Sequence, residues 1–100
     1  MPLEVTDAAD RHRFEAHLDG SPAGFAEYIR GQDLVVYPHT EVSPEFEGKG
    51  VGGALARAAL DDARARGLAV LATCPFIAAW MRRHPDYLDL AYQNRSQATD

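Results

Sequence analysis

Glu47-Gly48-Lys49-Gly50-Val51-Gly52-Gly53 separates an extended apolar segment, Leu34 to Val42, from a long alanine-rich one, Ala54 to Arg66. In that position it reads as the loop joining a strand to a helix. Glycines there let the backbone turn with positive φ and bring its N–H groups close to a ligand. At a helix N-terminus the unpaired donors and the helix dipole together favour an anion such as a pyrophosphate. A phosphate-bearing cofactor is the first expectation, weighed against a merely flexible glycine loop.

The flanking segments supply the frame the loop needs. After the loop, Val51, Leu55, Ala58 and Ala59 recur at helical spacing, with Leu60 and Ala63 widening the stripe. Arg57 and Asp61 form an i,i+4 pair on the exposed side, and Gly67 stops the helix. Leu68 to Thr73 then returns as a strand beside the one before the loop, making a β-α-β unit. A last helix starts near Pro75 and ends before Pro85; the polar stretch from Ala91 to Asp100 reads as frayed.

Upstream, Phe14, Ala16 and Leu18 alternate with Arg13, Glu15 and His17, the pattern of a half-buried strand. Asp19-Gly20 is a turn signal, and Ala23 to Arg30 follows with Phe25 and Ile29 on one face and Ala26 and Tyr28 on the other. Leu34-Val35-Val36-Tyr37 is apolar without alternation, which predicts a central strand covered on both sides. Pro38 should break or bulge it, leaving main-chain groups unpaired through His39, Thr40, Glu41 and Val42. Residues 1 to 12 give a short edge strand or loop. The fold class expected is α/β with a mixed sheet: an antiparallel meander, a β-α-β unit and a C-terminal helix, in one domain over residues 1–100 with an ordered core of about 3–90.

Composition narrows the function. One hundred residues, 46% apolar, suit a single core that buries roughly 65% of the unfolded surface. Ten basic against fifteen acidic residues give a formal charge of -5, the wrong sign for a general nucleic-acid binder and easier on an amine-bearing substrate. One cysteine, Cys74, makes no intramolecular disulfide, and the histidines and cysteine lack metal-ligand spacing, so no metal is expected. With no secretory signal pattern and no apolar run of membrane-spanning length, a soluble cytoplasmic protein is expected.

Gly48, Gly50 and Gly53 satisfy the dinucleotide pattern G-x-G-x-x-G, but the next strand ends Thr73-Cys74-Pro75 where a ribose-binding acid is needed. A P-loop fails as well, since no G-K-[ST] is present. Four runs in order do carry a resemblance: His39-Thr40-Glu41-Val42, Glu47-Gly48-Lys49-Gly50-Val51-Gly52, Cys74-Pro75-Phe76 and Arg83-His84-Pro85-Asp86-Tyr87. Over Arg13 to Leu90 the chain resembles the small, stripped-down branch of the Gcn5-related N-acetyltransferases.

The resemblance implies acetyl-coenzyme A as cofactor. Its pyrophosphate would lie on the backbone of Gly48, Lys49, Gly50, Val51, Gly52 and Gly53, with Glu41 and Val42 along the pantetheine arm. Glu47 departs from the family's Gln or Arg and is expected to point away. The resemblance also implies His39 and Cys74 as catalytic residues. Histidine ordinarily titrates near neutrality, as a base for a protonated amine must. Cys74 opens the last helix, where it would give a proton to the leaving thiolate or accept the acetyl group itself.

The expected function is transfer of acetyl to an amine, direct attack standing slightly ahead of the covalent relay. The alternative is a coenzyme A or acyl-coenzyme A binding module without turnover; a pure interaction domain would bind no coenzyme at all. Phe76, Trp80 and Tyr87 read as packing the core or the cofactor's flank, and Arg82 and Arg83 as a solvated face within conceivable reach of the coenzyme's 3′-phosphate. Without the N-terminal helices common in that superfamily, an open acceptor face is expected, able to admit a protein lysine or a polyamine. Oligomeric state is not legible.

Overall fold

The structure, a computed structural model, describes residues 2–92. Five strands run in spatial order of sequence: β1 Leu3–Ala8, β2 Arg13–Leu18, β3 Ser21–Arg30, β4 Leu34–Val42 and β5 Ala69–Ala72. β1 to β4 form the antiparallel meander, and β5 lies parallel to β4 after the helix α1, Val51–Arg66. A second helix, α2, spans Pro75–Arg83. The mixed α/β architecture is the one expected. Residues 93–100 of the polar tail lie outside the described residues; Ala91 bridges Val70 in parallel, and the Tyr92 N–H bonds to the Val70 carbonyl at 2.7 Å.

Local chemistry accounts for the joints. Asp19 and Gly20 both take positive φ, 56° and 83°, as a tight hairpin turn between twisted strands requires. Along β3 and β4 the register passes from Glu27 opposite His39 to Ile29 opposite Val36. Two steps of β3 thus face three of β4, and the extra residue falls at Tyr37-Pro38, where proline cannot donate to the ladder. Gly67, at φ 70°, closes α1 with its N–H on the carbonyls of Ala63 and Arg64.

One face of the sheet holds the core. Phe14, Ala16, Leu18, Ala26, Tyr28, Val35, Tyr37 and Val70 are buried there with Leu55, Ala59 and Leu60 of α1 and Ile77 and Trp80 of α2. The Tyr37 hydroxyl donates to the Ala59 carbonyl at 2.6 Å, and burial pushes its phenol well up. The other face is open among the described residues, which corrects the expectation for residues 34–37: Val35 and Tyr37 are buried, whereas Leu34 and Val36 are half-buried. A continuous apolar run signals burial but does not count the layers over it.

Arg57 and Asp61 also differ from expectation. The hydroxyl of Tyr87 lies between them, accepting from Arg57 Nη1 at 3.3 Å and donating to Asp61 Oδ1 at 2.7 Å. The return of the chain through the 3-10 segment Pro85–Leu90 brings that ring to α1.

Candidate active site

β5 pairs with β4 only from Leu34 to Tyr37, and the last link is the Cys74 N–H on the Tyr37 carbonyl at 3.0 Å. There the chain leaves the sheet to start α2 at Pro75, while β4, bent by its bulge, continues to Val42 against β3 alone. The two strands part beyond Tyr37. Ser43 donates its N–H to the Ala23 carbonyl at 2.8 Å, which makes Gly24 and Val42 a non-hydrogen-bonded pair. The main-chain groups of Val42 and Thr40 therefore face the edge that β5 has left, whereas those of Glu41 turn to β3. The unpaired edge over residues 39–42 is as expected, but Thr40 takes the place beside Val42 expected of Glu41; the phase of the ladder, unlike the bulge, depends on the partner strand.

The glycine turn stands at the far end of this edge. A 3-10 turn over Pro44–Phe46 leads to Glu47, extended at φ -60° and ψ 143°, then Gly48 at φ 81° and Gly50 at φ 83°. A Cβ on either glycine would meet nothing within 4 Å, so both are there for conformation rather than space. Gly50 is the N-cap of α1 and no side chain caps the helix, which leaves the first N–H groups after it without intrahelical partners. Gly52 has a second reason: a Cβ there would come 2.8 Å from Phe76 Cζ, so its absence lets α1 lie against the first turn of α2. Glu47 and Lys49 are exposed. Open donors, two positive-φ glycines and a lysine form a cradle that fits a pyrophosphate.

His39 and Cys74 fall on opposite faces of the sheet. Cys74 is 4% exposed and its Sγ donates to Thr40 Oγ1 at 3.5 Å, on the covered side. His39, next to Thr40 in β4, points the other way and is exposed. Its Nε2 lies 2.7 Å from Glu41 Oε2, and its ring centroid 6.0 Å from that of Phe25. A carboxylate only accepts, so Nε2 carries the hydrogen, and in the neutral ring Nδ1 keeps a lone pair. Glu41, expected along the cofactor arm, thus uses its side chain to orient His39. Among the described residues no hydrogen bond joins the two candidates; they stand one on each face beside the parting of the strands.

The open face also carries a groove of about 450 Å³, walled by Arg13, Glu15, Phe25, Glu41 and Pro44. It lies across the sheet from Cys74 and shares Glu41 and Val42 with the cofactor edge. Glu15 binds Arg11 through Nε at 2.7 Å and Nη2 at 2.8 Å, and Arg13 through Nε at 2.8 Å. The hydrogen bond from Arg11, then that from Arg13, lowers its carboxyl to about 2. Arg13 Cζ sits 4.4 Å from the Phe25 centroid. Alternation in residues 13–18 already put Arg13 and Glu15 on the non-core face; their convergence with Phe25 required the strand register. Arg82 and Arg83 are exposed on the last turn of α2.

A family model described as GCN5-related N-acetyl-transferase matches residues 13–90. Protein NATD1 of Gallus gallus is 31% identical over 87 residues, covering 84% of this chain and 78% of the relative. Protein NATD1 of Homo sapiens is equally similar, with 76% of its length covered. A GCN5-like protein from Staphylococcus aureus, solved in solution by NMR, superposes with a TM-score of 0.68 at 26% identity over 92% of this chain and 90% of its own. The ribosomal-protein-alanine N-acetyltransferase of Brucella melitensis biovar Abortus 2308 shares the fold, with a TM-score of 0.58 at 20% identity over 82% of this chain and 62% of its own.

Proposed function

The chain belongs to the GCN5-related N-acetyltransferase family, and from that premise we propose that it takes its acetyl group from acetyl-coenzyme A and gives it to an amine arriving over the open face of the sheet. The observation that carries this reading is the parting of β4 and β5 beyond Tyr37, with an uncapped helix N-terminus and the Gly48 and Gly50 turn at its end. The backbone of Gly48 and of Gly50 to Gly53 would hold the pyrophosphate, helped by the charge of Lys49, whose own N–H is taken by the Phe46 carbonyl at 3.3 Å, and the main chain of Thr40 and Val42 the pantetheine arm. When bound, acetyl-coenzyme A supplies a thioester whose carbonyl carbon an amine can attack.

An aliphatic amine has a pKa of about 10.4 and is mostly protonated at neutral pH, so a base must free its lone pair. His39 takes that proton at Nδ1, with Glu41 on Nε2 steadying the imidazolium that results. Cys74 holds at Sγ the proton a departing thiolate requires, and Thr40 orients it from the covered side. Direct attack is favoured over an acetyl-enzyme, because a residue 4% exposed, its sulfur already bonded to Thr40, has little room to carry an acetyl group.

Calorimetric titration with acetyl-coenzyme A, using NAD as control, tests the reading. Binding of the thioester alone is expected. Absence of binding overturns the cofactor assignment.

A further inference from the structure

The groove on the open face contains a guanidinium that is held at one end and free at the other. Glu15 takes the Nε of Arg13 at 2.8 Å, and the Phe25 ring lies 4.4 Å beneath Cζ. Among the described residues its two terminal nitrogens have no hydrogen-bond partner. The side chain is 32% exposed, so the fork is open to a solute, yet its orientation is set from two sides. Such a fork matches a planar carboxylate, with both N–H groups donating in parallel.

The opposite wall carries the opposite sign. Glu41 lines the groove and holds His39, and Phe25 touches both ends, with Arg13 at 4.4 Å and the His39 ring at 6.0 Å. Arg13, Glu27 and His39 are in cross-strand register on β2, β3 and β4, so the half-buried Glu27 adds a carboxylate on the line between the ends, and Phe25 lies diagonal to both. Two strand spacings separate the ends, on the order of 10 Å. A cationic end, an aromatic floor and an anionic end with a base beside it complement a zwitterion.

We propose that Arg13 is a specificity-determining residue for the acceptor: the amine substrate also bears a carboxylate, which the Arg13 fork holds while the amine lies against His39 and Glu41. The inference rests on the acetyl-transfer reading above and names its substrate class, an ω-amino acid with a short aliphatic chain between its two ends. The chain lies over Phe25. Glu15 positions the fork by fixing Nε, and Arg11 shares that carboxylate from the other side.

The test uses acceptor pairs that differ only in the carboxylate: 4-aminobutyrate against butylamine, and lysine against cadaverine, with a lysine peptide blocked at both ends as a further acceptor. Acetyl-coenzyme A binding is first established by calorimetry, so that failure there falls on the cofactor assignment and not on this inference. The carboxylate-bearing member of each pair should show at least about tenfold higher kcat/KM, the size of one charge-assisted hydrogen bond. Arg13→Gln should bring the ratio to about one, and Arg13→Lys, which keeps the charge and loses the fork, should leave an intermediate ratio. Equal use of both members, a ratio that survives in Arg13→Gln, turnover confined to the blocked peptide, or no turnover of any acceptor by coenzyme-bound protein would overturn the proposal.

Discussion

Arg13 and Phe14 are neighbours in β2, and between them lies the difference between the two faces of this sheet. Phe14 is 4% exposed beneath α1; Arg13 stands over Phe25 on a face that no helix covers among the described residues. The covered face is filled mostly by apolar side chains fitted by volume, with a few bonded hydroxyls among them, and the open face by side chains that hold one another through charge and ring contacts. Burial makes the first face stable, and exposure leaves the second free to meet a substrate. The faces communicate where β4 and β5 part, with Cys74 on one side and His39 on the other.

The sharpest way to break that contrast is to truncate an aliphatic side chain on each side. Leu60→Ala removes a side chain with no exposure and should cost about 2–5 kcal/mol of unfolding free energy. Ile29→Ala, at a residue 64% exposed on the open face, should stay within about 0.5 kcal/mol. Urea unfolding of both variants decides it. Equal losses would mean that something covers the open face.

A second comparison concerns the two candidate catalytic groups. His39→Ala should lower kcat/KM by about 10²-fold and flatten the acidic limb of the pH–rate profile, since the proposed base, which must be neutral, is gone. Cys74→Ala should lower turnover by a smaller factor, about tenfold, while coenzyme affinity in calorimetry stays nearly the same. A retained acidic limb in the first variant assigns the base elsewhere; unchanged turnover in the second removes the thiol from the reaction.

The last effect expected is electrostatic. Glu15 titrates at about 2 in the folded protein, held there by the hydrogen bond from Arg11 and then that from Arg13. Its unfolded counterpart titrates at about 4.3. The folded value is the lower one, so the resulting stability is present above about pH 4.3 and lost as pH falls through about 2. The stability advantage of the native protein over Glu15→Gln should shrink across that window in urea melts. A constant difference would leave the ion pairs without a net role.

Much of the architecture was legible because it follows from short-range rules. Alternation in residues 13–18, the Asp19-Gly20 turn, the proline bulge at residue 38 and the Gly67 stop each act within a few residues of chain. Where two distant segments decide the outcome, the reading faltered. Residues 34–37 read as doubly buried because a run of apolar residues looks the same under one layer as under two. The Arg57 and Asp61 pair yielded to Tyr87, which arrives from 26 residues beyond Asp61.

The amino-acid sequence by itself determined the order of strands and helices, the glycine turn at the start of α1 and the residue types able to serve acetyl transfer. The first two are set by backbone freedom and by hydrophobic period, which are properties of neighbours in the chain; the third is what the resemblance to the family implies. Only the tertiary structure decided that His39 and Cys74 face opposite ways, that Thr40 rather than Glu41 turns its main chain to the open edge, and that Arg13, Phe25 and Glu41 share one groove. Those relations depend on ladder register and on where two strands separate, and both are fixed by pairing between segments that the chain brings together from afar.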